Sequence, residues 1–121
     1  MSGKKYGVVP PEIVKTYDGL GFVKAIIDGT LPQAPICEVL GFHLVEAEYG
    51  RAVFEGVPQF RLYNPIGTVH GGFAATLLDS ALGCAIFSTL AKGEAWTTLE
   101  LKLNFVRALS KDSGPVRAEG R

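Results

Sequence analysis

The sequence predicts an α+β fold in which one long buried helix packs on a curved antiparallel sheet, with an extra helix at the N-terminus. Three observations carry this reading. Phe73 to Ala91 runs for 19 residues with Asp79 as its single formal charge. From Thr98 the chain alternates, with Leu99, Leu101, Leu103 and Phe105 on one face and Thr98, Glu100, Lys102 and Asn104 on the other, the period of two of a half-buried strand. Leu44, Val45, Ala52, Val53 and Phe54 flank Tyr49 and Gly50, the pattern of a hairpin.

Taken in order, Pro10 and Pro11 before Glu12 suit a helix start, and Ile13, Val14, Tyr17, Val23, Ile26 and Ile27 recur at roughly helical spacing up to Gly29, interrupted by Gly19 and Gly21. Pro32 and Pro35 mark a connector to the hairpin segment, Val39 to Val57. In the long apolar run, alanine, leucine and isoleucine occupy every side of the helical wheel, so the helix must be enclosed on nearly all faces. A bilayer would enclose it, but a charge such as Asp79 near the centre costs ~3 kcal/mol there and no flanking Lys/Arg cluster or aromatic belt supports it. A wrapped sheet is preferred, with Gly93 ending the helix. Ser110 to Gly114 is turn-like and Pro115 to Glu119 begins another strand. Only about four strands can be counted, where a sheet around such a helix needs about five or six. The sequence is therefore expected to be a shortened product of a longer gene.

Twelve Lys plus Arg balance twelve Asp plus Glu, so no net field draws the chain to nucleic acid or anionic lipid. Cys37 and Cys84 are the only cysteines and the residues after Met1 open no apolar run, which points to a reducing, cytoplasmic setting. With only His43 and His70 and no cysteine pair at finger spacing, no metal is expected. Nucleotide-binding glycine patterns do not occur, and Ser80 lacks a Gly-x-Ser-x-Gly elbow. Cys84 reads as inert packing.

Asp79 carries the strongest functional signal, because a carboxylate in a dry helix is costly unless paired and no Lys or Arg lies three or four positions away. It either caps a neighbouring group or meets a distant cation, or it is a general base or nucleophile tuned by burial. Gly71 and Gly72 sit at the start of the same helix, where free N–H groups and the helix dipole can hold an oxyanion, although tight turns also demand glycine. Gly71 and Asp79 are eight residues apart, about 12 Å along a helix at ~1.5 Å per residue, too far for both to reach one carbonyl. If both act on one substrate, two helices must meet antiparallel, which predicts a symmetric dimer with two shared sites. Asn64 and His70 could orient water or a leaving group, and Thr98 could donate to Asp79; a structural hydrogen bond is the plainer reading of His70, and strand propensity that of Thr98.

The runs from Asn64 to Gly72, from Thr76 to Ala81 and from Thr98 to Arg107 together resemble the hotdog-fold acyl-CoA thioesterases of the phenylacetate-degradation type, over roughly Ile36 to Gly120. The resemblance implies a long helix wrapped by an antiparallel sheet, dimers that pair into tetramers, and hydrolysis of a CoA thioester without metal or organic cofactor. It divides the chain into an N-terminal helical extension, 1–35, and a hotdog domain, 36–121. Asp79 would activate water or attack the carbonyl, the Gly71 N–H would polarise that carbonyl, Asn64 and His70 would position water and the departing thiol, and Thr98 would support the carboxylate from across the subunit boundary. Gly72, Phe73 and Trp96 would line the substrate, with core packing an equal reading of Phe73 and Trp96, and the acyl group is expected to be aromatic or of medium length. The family continues past the position of Arg121 with two further strands, so this hotdog domain is expected to lack its last strands.

Two other functions compete. A hotdog hydratase would place an Asp about five positions before the catalytic His, where this chain has Pro65. A non-catalytic acyl-CoA-binding or regulatory module would leave Asp79 purely structural.

Overall fold

The computed structural model describes residues 5–121; the reading of the residues directly after Met1 lies outside them. Helices α1 (Pro11–Val14), α2 (Gly19–Ile27) and α3 (Pro35–Leu40) precede strands β1 (Phe42–Glu48) and β2 (Arg51–Gly56), then come helix α4 (Gly71–Phe87) and strand β3 (Val116–Gly120). The three strands form one antiparallel sheet in the order β1-β2-β3. The hairpin turns at Tyr49 and Gly50 as expected, with Gly50 at φ +79°. Its register slips between Leu44 and Glu46, a bulge that bends β1.

The core lies between the inner face of the sheet and α4, with Phe42, Leu44, Ala52, Phe54 and Ala118 packed against Phe73, Leu77, Ala81 and Ala85. Small side chains let the helix lie close: a Cβ on Gly120 would stand 2.4 Å from the Ala81 carbonyl oxygen. On the sheet's other face Arg51 pairs with Glu46, Glu48 and Glu119, and Arg117 with Glu46 and Glu55. Hydrogen bonds from Arg117 and Arg51 hold the Glu46 carboxyl below its ordinary range. These charges satisfy one another in solvent and form a solvated face that carries no chemistry.

Five sequence expectations need correction. The single helix expected up to Gly29 is two, because Asp18 accepts the Gly21 N–H and starts α2 anew, with Gly19 and Gly21 inside its first turn. The connector at Pro35 is itself a helix: Pro35 stands at its first position and Gly41, at φ +73°, ends it. Helix α4 stops at Phe87, before Gly93, because the Ser88 hydroxyl donates to the Ala85 carbonyl and accepts the Gly50 N–H, tying the helix end to the hairpin turn.

The fourth concerns residues 98–105. They form no ladder, and the chain there runs along α4 in the opposite direction, with Trp96 against Gly83, Thr98 at Asp79 and Phe105 over Gly71. Leu99 is 92% exposed and Val106 95%. Alternation records which face seeks cover, whereas a strand needs a neighbouring backbone to bond, and none lies beside it here. Nor is α4 enclosed all round: Leu82 and Ile86 are 39% and 47% exposed, on the stripe that carries Asp79.

Candidate active site

Asp79 projects from the middle of the open stripe of α4 and is half-buried. Its Oδ1 accepts a hydrogen bond from the Thr98 hydroxyl at 2.8 Å. The donation from Thr98 to Asp79 that the sequence suggested is thus present within the chain. No Lys, Arg or His makes an ion pair with Asp79 among the described residues. Asp79 lines the two cavities beside it.

Two cavities meet at this carboxylate. One, of about 390 Å³, is lined by Leu82, Ile86, Trp96, Thr98 and Leu101 and opens on the exposed stripe. The other, of about 210 Å³, lies on the side of α2 and α3. Trp96 lines both. Gly83 makes room for it: a Cβ there would fall 2.4 Å from the Trp96 ring. The second cavity also holds Cys37 and Cys84, whose thiols burial pushes up to about 11 and about 12, so neither is a thiolate nucleophile near neutral pH.

Gly71 opens α4 at its first position, where an N–H has no intrahelical acceptor. The neighbouring N–H is already taken: His70 is the N-cap, and its Nδ1 accepts from Gly72 at 2.8 Å. Nδ1 is therefore unprotonated and the ring's proton sits on Nε2. A cavity of about 320 Å³ surrounds this helix end, lined by Asn64, Thr68, His70, Gly71, Phe105 and Arg107. The cavity at Gly71 and the two at Asp79 are separate, as the length of helix between them requires.

The loop before α4 is built by Asn64. Its Oδ1 accepts the N–H groups of Ile66 and Thr68 at 3.1 Å each, and its Nδ2 donates to the Thr68 hydroxyl at 2.8 Å. These bonds shape the turn that delivers His70 and Gly71, and Asn64, expected as a water-orienting group, also lines the cavity at Gly71. Gly72 likewise gives its N–H to a cap, and Phe73, 3% exposed, belongs to the core and reaches neither cavity at Asp79. Sequence reasoning missed the liners Phe22 and Ile26, although their i, i+4 spacing on α2 is the signal that would have paired them.

The described residues hold no group of three His, Cys, Asp or Glu side chains placed to bind a metal ion. No helix among them is long and apolar enough to cross a membrane.

Comparison with known proteins bears on this arrangement. The profile of the thioesterase superfamily matches residues 66–121, the span that carries Gly71, Asp79 and Thr98. Among solved structures, a phenylacetic acid degradation-related protein from Ralstonia eutropha JMP134 superposes with a TM-score of 0.71 at 25% identity, over 81% of this chain and 74% of that one. A thioesterase family protein from Silicibacter pomeroyi gives 0.69 at 25% identity, over 80% and 70%. A mutant of the phenylacetic acid degradation protein PaaI from Thermus thermophilus gives 0.57 at 30% identity, over 70% and 68%. No curated protein sequence matches the chain.

Proposed function

Given that this chain belongs to the thioesterase superfamily and is a thioester hydrolase of the hotdog fold, we propose that it cleaves an acyl-CoA, with an aromatic or medium-length acyl group, to the free acid and CoA. The observation that carries this is the carboxylate of Asp79, held by one hydroxyl, paired with no cation among the described residues and set between two largely apolar cavities. The Thr98 bond fixes Oδ1, which leaves Oδ2 to take a proton from water or to attack the thioester carbonyl itself. Either route forms a tetrahedral oxyanion, for which an unsatisfied helix-start N–H such as that of Gly71 is a suitable donor. The C–S bond then breaks, and the thiolate leaves as CoA and takes up a proton; water attack gives the free acid directly, whereas attack by Asp79 leaves a mixed anhydride that a water must then hydrolyse to release the acid and restore the carboxylate. His70 lines the cavity at this helix end and can supply a hydrogen bond to the leaving group. Metal ions and organic cofactors have no part in this scheme, since CoA arrives as part of the substrate.

The reading places the two halves of the site on different subunits of a homodimer, or of a dimer of dimers. Support comes from the apolar surface beside Asp79, where Leu82, Ile86, Leu99 and Leu101 meet solvent. Burying a side chain of this size contributes about 1.5–3 kcal/mol, so covering the stripe with a second copy is favourable. The names of the relatives in phenylacetic acid degradation support an aromatic acyl group. The test is thiol release over acetyl-, hexanoyl-, decanoyl- and phenylacetyl-CoA. CoA release from hexanoyl- or phenylacetyl-CoA at the rates of ordinary enzymes, about 1–10³ per second, is expected. Thermal protection by the acyl-CoAs without CoA release would instead identify a binding module.

A further inference from the structure

About half of the wall of the smaller cavity at Asp79 comes from parts of the chain that lie before the sheet. Phe22 and Ile26 come from α2, and Ile36 and Cys37 from α3, while α4 contributes Asp79 and Phe87. Asp79 and Ser80 supply its only carboxyl and hydroxyl. The Phe22 and Phe87 rings stand 5.0 Å apart, and Trp96 separates the space from the larger cavity on the open stripe. An acyl group must lie within reach of the attacking carboxylate and needs an apolar, water-poor receptor on one side of it. This cavity meets both conditions. The larger one lies on the stripe that a second copy is expected to cover, where Leu99 is 92% exposed.

We infer that the acyl group enters the cavity between α2, α3 and α4, so that Phe22, Ile26 and Ile36 of the N-terminal helices set its size. The inference rests on the thioesterase reading and adds to it a location and a limit. A dry apolar cavity of about 150 Å³ accepts a benzene molecule. At about 210 Å³ the space holds one ring with a short spacer, or a chain of roughly six to eight carbons, and excludes longer ones. The thiols agree with the low polarity of this wall, since burial is the main cause that raises Cys84.

Ile36 stands at the rim and is 46% exposed, so it can be enlarged without overpacking the core. The experiment compares kcat/KM for hexanoyl-CoA with that for acetyl-CoA, and for decanoyl-CoA with that for hexanoyl-CoA, in the full chain. In Ile36→Trp the hexanoyl-to-acetyl ratio is expected to fall at least tenfold. In Ile26→Ala, which removes about three carbons of wall, the decanoyl-to-hexanoyl ratio is expected to rise at least threefold. Melting curves on both variants establish that each is folded, and either one alone decides the matter if the other is not. Unaltered ratios in a folded variant, with the wild-type protein active, would overturn the inference and leave the thioesterase reading standing. A wild-type protein that releases no CoA from any member of the series would overturn both.

Discussion

Asp79→Ala is expected to lower kcat for acyl-CoA hydrolysis by about 10²–10⁴-fold, the contribution of a positioned base, or more if the carboxylate is the nucleophile. The fold should survive, because Asp79 is half-buried and its side chain is tied only to Thr98 by one hydrogen bond, a link worth about 1 kcal/mol. Asp79→Asn separates binding from chemistry. The amide oxygen can still accept from Thr98 while the group can neither take a proton nor attack, so the affinity for a non-hydrolysable acyl-CoA thioether should stay within a few fold of wild type as turnover is lost. Thiol-release kinetics and a thioether titration measure the two effects. Normal hydrolysis by either variant would remove Asp79 from the mechanism.

Gly71→Pro isolates the other half of the site. Proline is well tolerated at the first position of a helix, and His70 before it has φ −58° and ψ 134°, a conformation that proline permits. The substitution therefore deletes one N–H with little change in the backbone. A Cβ at this position would meet the Phe105 ring at 3.3 Å, and Phe105 is 63% exposed and free to move aside. Loss of one oxyanion donor costs about 10²–10³-fold in kcat, with the helical circular dichroism retained. Gly71→Ala, which keeps the N–H, should be far milder. Equal losses in the two variants would mean that the position matters for space and not for its donor.

The contrast between these residues and their neighbours marks what a sequence can convey. The hairpin was legible because Gly50 and the flanking alternation are local signals, and α4 because a 19-residue run with one charge has few other outcomes. Asp79 stood out for the same reason: its energetic oddity needs no neighbour to be noticed. Helix α3 was obscured because Pro35 serves equally as a breaker and as a first helical residue, and the deciding Gly41 lies beyond it. The strand expected at residues 98–105 was legible as a face but not as a ladder, since pairing depends on another segment's backbone. The bonds from Asn64 to Ile66 and Thr68 were not legible, because those partners are fixed only by the loop's path. Which side of α4 is open was hidden altogether, because its apolar residues surround the wheel.

The claim on which the rest depends is that Asp79 of one subunit works with the helix start of another, and a mixing experiment addresses it. Asp79→Ala and Gly71→Pro chains carrying different affinity tags are co-expressed, and the mixed dimer is isolated through both tags. In a shared site one of its two centres carries both substitutions and the other carries neither, so the mixed dimer is predicted to recover about half of the wild-type turnover per dimer although each parent is nearly inactive. A mixed dimer that stays at the residual activity of its parents would contradict the account, because it would mean that each chain must supply both groups itself.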